Sequence, residues 1–315
     1  IEKKSRPRGK GWPLISIERV SSTSDRYPKL LREIYDPPPL LMARGGWPDW
    51  ESRDWIGVVG ARKVTSFGKK KAYEIGAALA GAGCGVVSGL AYGVDAEAHR
   101  GCLEAKGVTW GVLGSGLDHF YPARNKPLAE KMLERGGYLS EFPLDANPYK
   151  SHFIQRNRII SGLSKAVIIV EAAIHSGSLV TARYALEQGR EVFVVEPPNK
   201  NVSYEGNWRL LDEGACAYES AEQVVEEIKH MGYKSPSPLV GEGWGEGTKV
   251  IHPPLNPLPS REGKSRLLHF LKSPASLDQL VHKTQKSPQH LLVELSELES
   301  QGLIKKTPGP LWQSL

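Results

Sequence analysis

Between Trp55 and about Tyr233, short apolar runs alternate with stretches of helical period. The runs are Ile56–Val59, Gly85–Val87, Thr109–Leu113, Ala166–Val170 and Glu191–Val195. Each is rich in β-branched residues and leads through glycine or serine into a helical stretch. Strands apolar on both faces belong in a parallel sheet covered on both sides. Right-handed crossovers then give a doubly wound α/β domain of Rossmann-like type.

The pattern changes at both ends. Tyr27 to Gly45, YPKLLREIYDPPPLLMARG, predicts a short helix and then an extended segment forced by the proline run, packed against the core. Residues 234–263 are dominated by Pro, Gly and Ser with no apolar period, and read as a linker. Residues 264–315 regain helical pattern. Ser265–Leu271 predicts one amphipathic helix, and Ser276 is placed to cap a second through Leu277, Leu280 and Val281. Ser287-Pro288 opens a third, carrying Leu291, Leu292, Leu295 and Leu298, and Gly302 stops it. Leu303–Lys306 and Leu311–Gln313, joined across Thr307-Pro308-Gly309-Pro310, read as a two-stranded wing. The expected organisation is a basic tail (1–26), a Rossmann-like core with its lead-in (27–233), the linker, and a small winged-helix domain (264–315).

Charge adds direction. Lys and Arg number 41 against 35 acids, for a formal charge of +6. The excess favours an acidic partner, although many cytoplasmic proteins are mildly basic. Lys3, Lys4, Arg6, Arg8 and Lys10 crowd the N-terminus; a solvated tail explains them as well as an acidic partner does. Mean hydropathy is −0.36, as polar tails and linkers produce. Cys84, Cys102 and Cys216 are far apart and odd in number, which argues against a disulfide framework or zinc site and for a reducing compartment. With no membrane-length apolar run and no apolar signal core, a cytoplasmic location is expected.

Candidate chemistry gathers where parallel strands hand over to helices. Exposed amides and the helix dipole favour phosphate there. Four loops fall on that edge: Gly60-Ala61-Arg62, Ser88-Gly89 through Asp95, Gly114-Ser115-Gly116-Leu117-Asp118, and Glu171 with His175-Ser176-Gly177-Ser178. Glycine in any one of them is equally explained by turn geometry. The spacing after Gly60 is not G-x-G-x-x-G, and no G-K-[ST] loop occurs, so neither a dinucleotide nor an ATP site is expected. Arg62 adds a planar cation beside a helix start, suited to phosphate or to a surface ion pair. Lys150 to Ser164 is the strongest stretch. Arg156 and Arg158, roughly 200° apart on a helix, cannot face one ligand; one should reach the phosphate edge while the other braces loops. Phe153 offers either a base-stacking platform or core packing.

Catalytic arrangements are weaker. Ser88, Asp95 and His99 resemble a triad in composition, but capping and an i,i+4 pair explain Asp95 and His99. Glu141 and Glu171 end strands and form a possible carboxylate pair for hydrolysis. His175 lacks spaced ligand partners for a metal.

At these residues the chain resembles the DprA/Smf family. The similarity lies in GARKVTSFGKKKA (60–72), SGLAYGVDAEAHRGCLEAKGVTWGVLGSGLDHFYPARN (88–125), LSEFP (139–143) and HFIQRNRIISGLSKAVIIVEAAIHSGSLVTARYALEQGREVF (152–193). The resemblance implies an extended Rossmann fold and a homodimer. It also implies phosphate-mediated binding of single-stranded DNA, and loading of RecA onto incoming DNA during natural transformation. It places strand binding on Arg62, Lys150, Phe153 and Arg156 with neighbouring loop glycines. The expected DNA-contact set is therefore Gly60, Arg62, Ser88, Gly89, Lys150, Phe153, Arg156, Asn157, Arg158, Gly177 and Ser178, with no catalytic residue, metal or cofactor.

Two departures stand out. Val195-Glu196-Pro197-Pro198-Asn199 replaces the family's usual Pro-Gly, and the helical-hairpin domain of some relatives is expected to be absent or truncated. Two other functions compete. One is a phosphoribohydrolase-like nucleotide enzyme, although His175–Thr181 lacks the G-G-x-G-T loop and following glutamate. The other is a duplex-binding regulator, although the third C-terminal helix carries Glu294, Glu297 and Glu299 and no Arg or Lys.

Overall fold

The computed structural model describes residues 16–230, together with 271, 275–276, 279–280, 295, 304–307 and 311–314. The basic residues 3–10, the linker, the glutamates at 294, 297 and 299 and most of the three expected C-terminal helices lie outside them. The chain forms two units, divided at His252/Pro253.

The first unit is built on a nine-stranded sheet. Strands β3 (Trp55–Val59), β4 (Gly85–Ser88), β5 (Thr109–Val112) and β6 (Gly137–Ser140) run outward in one direction. The chain then returns to the other side of β3 to add β7 (Ala166–Ile169), β8 (Glu191–Val194) and β9 (Cys216–Ala217). These seven are all parallel. The order reverses between β3 and β7, the topological switch of a doubly wound sheet. The predicted α/β class is what forms.

Alternation along each strand supplies both faces. Ile56 and Val58 point to one layer with α2 (Ser66–Gly81), α3 (Val94–Glu104) and α8 (Ala221–His230). Trp55 and Val59 point to the other, with α5 (Lys150–Gly162) and α6 (Gly177–Glu187). Shorter helices complete the unit: α1 (Lys29–Arg32), α4 (Lys126–Met132) and α7 (Glu205–Asp212). Helices α2 and α3 meet backbone to backbone. A Cβ on Gly76 would lie 2.1 Å from Ala98 O, and one on Gly101 would lie 2.0 Å from Tyr73 O.

The lead-in does more than pack. β1 (Glu18–Ser21) and β2 (Leu40–Gly45) join the sheet antiparallel beside β6. Residues 18–21, expected within the tail, are thus an edge strand. Only Val20 of β1 is buried, so no apolar run announced it.

In the second unit, β10 (Ala275–Ser276), β12 (Leu311–Ser314) and β11 (Ile304–Thr307) form a sheet in that order. The β11–β12 hairpin is the predicted wing. Ser276, expected as a helix cap, pairs with Leu311 in the third strand, and residues 277–278, which would tie it to the helix, lie outside the described residues. Leu271, Leu280, Leu295 and Ile304 are buried.

Candidate nucleic-acid interface

The floor of the site is a buried pair of opposite charges around one glycine. Arg156, on the inward face of α5, is only 3% exposed. Its Nη1 donates to Gly89 O at 2.8 Å and to Val112 O, tying the ends of β4 and β5 together. Across the loop, Asp95 Oδ2 accepts from Gly89 N at 3.1 Å and Ala91 N at 3.3 Å. A Cβ on residue 89 would lie 2.7 Å from both ions, so only glycine fits. Burial pushes the Arg156 pKa down to about 10, with Asp95 opposing, so the guanidinium stays charged at neutral pH. Burial likewise raises the Asp95 carboxyl above the ordinary range, against the pull of Arg156, the Ala91 amide, Arg62 and the Gly89 amide.

On this floor sits an aromatic and cationic surface. The Phe153 ring lies over Gly114, whose Cβ would meet it at 2.6 Å. The Arg62 guanidinium stands 4.9 Å from the Phe153 centroid, a cation–π contact. Tyr121 tilts against the same ring at 5.6 Å. Tyr92 and Tyr121 are each 40% exposed, and with Arg62, Gly89 and Phe153 they line a shallow pocket. Lys150 and Asn157 flank Phe153 at i−3 and i+4 of α5, along one helical face. Asn157 Nδ2 donates to Gly177 O at 3.2 Å, carrying that face to the start of α6. A Cβ on Gly177 would meet nothing within 4 Å. Arg62, Lys63 and Lys150 are exposed, and no ion pair or hydrogen bond of their side chains occurs among the described residues. By contrast, Lys69, Lys70 and Lys71 of α2 all pair with glutamates.

Several expected contacts lie elsewhere. Arg158 grips Glu141 through two bonds of 2.6 and 2.7 Å and also reaches Asp36 at 3.0 Å. Its side chain is 7% exposed, so it braces α5 against the β6 loop and the lead-in rather than facing a ligand. Ser88 is fully buried and donates to Val58 O at 2.6 Å. Ser178 is 6% exposed, and its amide donates to Ser176 Oγ, the cap of α6. Gly60 packs against Val94 and Glu171 O. The anion site expected at the start of α2 is already filled: buried Glu171 accepts from Thr65 N at 3.1 Å and from Thr65 Oγ1 at 2.7 Å. The crevice at the topological switch is therefore closed by the chain's own carboxylate. The exposed surface lies one strand over, above β4 and β5.

The catalytic arrangements do not assemble. Asp95 bonds loop amides instead of His99, and His99 Nδ1 lies 2.6 Å from Thr109 Oγ1. The Thr109 hydroxyl donates to Val86 O, so the imidazole proton sits on Nδ1. Glu141 and Glu171 serve Arg158 and Thr65 separately. Sequence reasoning passed over Lys63, Tyr92 and Tyr121. All three lay inside quoted motifs, but nothing in their spacing marked the tyrosines as exposed partners of Phe153.

Comparison with known proteins points one way. The family described as DNA recombination-mediator protein A matches residues 18–229, and the DprA winged helix domain matches 253–310. DNA processing protein DprA of Bacillus subtilis is 41% identical over 222 residues, 70% of this chain and 75% of that protein. The crystal structure of DNA processing protein A from Streptococcus pneumoniae covers 67% of this chain and 74% of its own at 38% identity and a TM-score of 0.62. A Helicobacter pylori DNA processing protein A structure, from work on its single-stranded DNA binding mode, covers 69% and 98% at 28% identity and a TM-score of 0.62.

Proposed function

Because the chain belongs to the DNA recombination-mediator protein A family, we propose that it binds single-stranded DNA on the Arg62–Phe153–Tyr121 surface and passes the strand to RecA. The carrying observation is the clustering of exposed cations around exposed aromatic rings on a rigid floor. Bases of any sequence can stack on Tyr92, Tyr121 or Phe153, while Arg62, Lys63 and Lys150 neutralise phosphates. Duplex DNA hides the base faces that such a platform uses. Gly177 and the α6 start, joined to α5 through Asn157, offer backbone approach for a further phosphate.

Within this reading Arg156, Gly89 and Ser88 shape the surface, and Arg158 holds α5 in place. The family resemblance also implies a homodimer, and protection of the incoming strand in the cytoplasm completes the proposal. Among the described residues, no helix is long and apolar enough to cross a membrane.

The test is a gel-shift titration of ssDNA against duplex at two salt concentrations, followed by RecA filament formation on SSB-coated ssDNA. Preference for ssDNA and faster filament formation are expected. Equal affinity for duplex, or release of adenine from AMP, would replace this reading with a duplex regulator or a nucleotide hydrolase.

A further inference from the structure

A second basic feature lies beside the site. A groove of about 610 Å³ runs between α3 and α4, lined by Arg100, Arg124, Lys131 and Arg135 against two carboxylates, Glu104 and Glu134. Glu104 accepts a hydrogen bond from the Tyr73 hydroxyl, whose pKa rises as a result. Arg100 is paired with Glu97 at 2.6 Å, and Arg135 donates to Lys106 O at 3.2 Å. Arg124 and Lys131 are exposed, and no ion pair or hydrogen bond of their side chains occurs among the described residues. The floor contributes apolar surface from Leu103, Leu128 and Pro127.

One short segment of chain runs from the first surface to the groove. Tyr121 and Pro122 line the Phe153 pocket, and Arg124, two residues on, lines the groove. That segment, with its 3₁₀ turn at Ala123–Asn125, is fixed by buried Asn125, whose Nδ2 donates to Leu90 O and Ala91 O at 2.8 and 2.9 Å. The same asparagine thus anchors the loop carrying Tyr92 and the turn carrying Arg124. A chain of phosphates leaving the aromatic platform past Tyr121 would meet Arg124 next, then Lys131 on α4 and Arg135 just beyond its end.

We infer that the α3–α4 groove is a second phosphate-binding stretch, which receives the continuation of the single strand held at Phe153. This rests on the proposed ssDNA reading and extends it: short strands fill the aromatic site alone, and longer ones engage both. Sequence-independent backbone neutralisation is what guanidinium and ammonium groups over an apolar floor provide, without base discrimination.

The full chain and its Arg124→Ala/Lys131→Ala/Arg135→Ala variant are titrated with fluorescent oligothymidylates of about 6 and about 20 nucleotides, spanning single-strand site sizes. The variant should bind the short strand like the parent and the long strand more weakly. Each lost phosphate contact removes about 0.7 from the slope of log K against log salt for single strands, so three remove about 2. The parent's loss of long-strand affinity from 50 to 200 mM salt should then exceed the variant's by roughly 20-fold. Unchanged long-strand affinity and slope, or equal losses on both lengths, would overturn the groove assignment. A parent that binds neither strand would instead overturn the ssDNA reading on which it stands. Unfolding curves of the variant, expected to match the parent, guard against a folding defect, and Lys131→Glu alone should repeat the length-selective loss.

Discussion

Replacing Arg156 by Gln tests whether this arginine supports the DNA surface or touches DNA. The guanidinium is 3% exposed and donates to Gly89 O, Val112 O and Asn157 Oδ1, with the Asp95 carboxylate beside the same glycine. Glutamine is too short to reach both carbonyls, and it leaves buried Asp95 with only Arg62 and the loop amides to offset its burial. Breaking a buried charge pair from one side costs about 3–5 kcal/mol. For a domain near 200 residues, at about 2–4 °C per kcal/mol, the melting temperature should fall by roughly 6–20 °C. Asp95 already titrates above its ordinary range, and loss of Arg156 raises it further. Native Asp95 then holds its proton where the unfolded chain has lost it, so the variant's deficit should widen as pH rises above the ordinary aspartate range. Adding Asp95→Asn should recover about 0.5–3 kcal/mol by removing the carboxyl whose ionisation burial opposes. Chemical denaturation of parent, single and double variants across pH measures all three quantities. An Arg156→Gln protein as stable as the parent but deficient in ssDNA binding would refute the reasoning, because it would make Arg156 a surface contact.

Phe153→Ala should weaken ssDNA binding by about 5- to 150-fold, the loss of one stacked base at about 1–3 kcal/mol, whereas Phe153→Trp should retain it; fluorescence anisotropy decides, and equal affinity of the alanine variant would remove Phe153 from the platform. His99 is fully buried and its pKa is depressed to about 3 by burial, with smaller contributions from Arg100 and Arg156. The unfolded chain therefore binds a proton near 6.5 that the native state refuses, so stability present above that pH is lost as pH falls towards 3, at up to about 1.4 kcal/mol per unit. His99→Gln should flatten that part of the stability profile, and an unaltered acid limb would count against the assignment. Gly76→Ala should destabilise by about 1–3 kcal/mol despite alanine's higher helix propensity, because its Cβ would meet Ala98 O; a neutral or stabilising effect in urea unfolding would show that α2 and α3 can separate freely.

Most of the strands buried on both faces were legible. β3, β4, β5, β7 and β8 stood out as apolar runs because nothing polar interrupts them. β6 was not among the apolar runs, because Gly137 and Ser140 dilute its apolar pair although all four residues are buried; only its end was read, at Glu141. The edge strands β1 and β9 expose most of their side chains, so alternation had little to report. Within the site, charge and residue type could be read, but depth could not. Arg62, Arg156 and Arg158 look alike along the chain, yet one lies over Phe153, one lies beneath Gly89 and one is clamped by Glu141 and Asp36. Their separation depends on which face of α5 meets the loops after β4 and β5, a long-range property. Glu171 filling the start of α2 has the same origin: its partner Thr65 is 106 residues away.

The account's central claim is that phosphates settle on the exposed cations beside Phe153. Salt titrations of ssDNA affinity for the parent and for Arg62→Ala/Lys150→Ala measure it most directly. The account predicts weaker binding and a log–log slope shallower by about 1.4, two single-strand phosphate contacts at about 0.7 each. Parallel lines of equal affinity for the two proteins would contradict it.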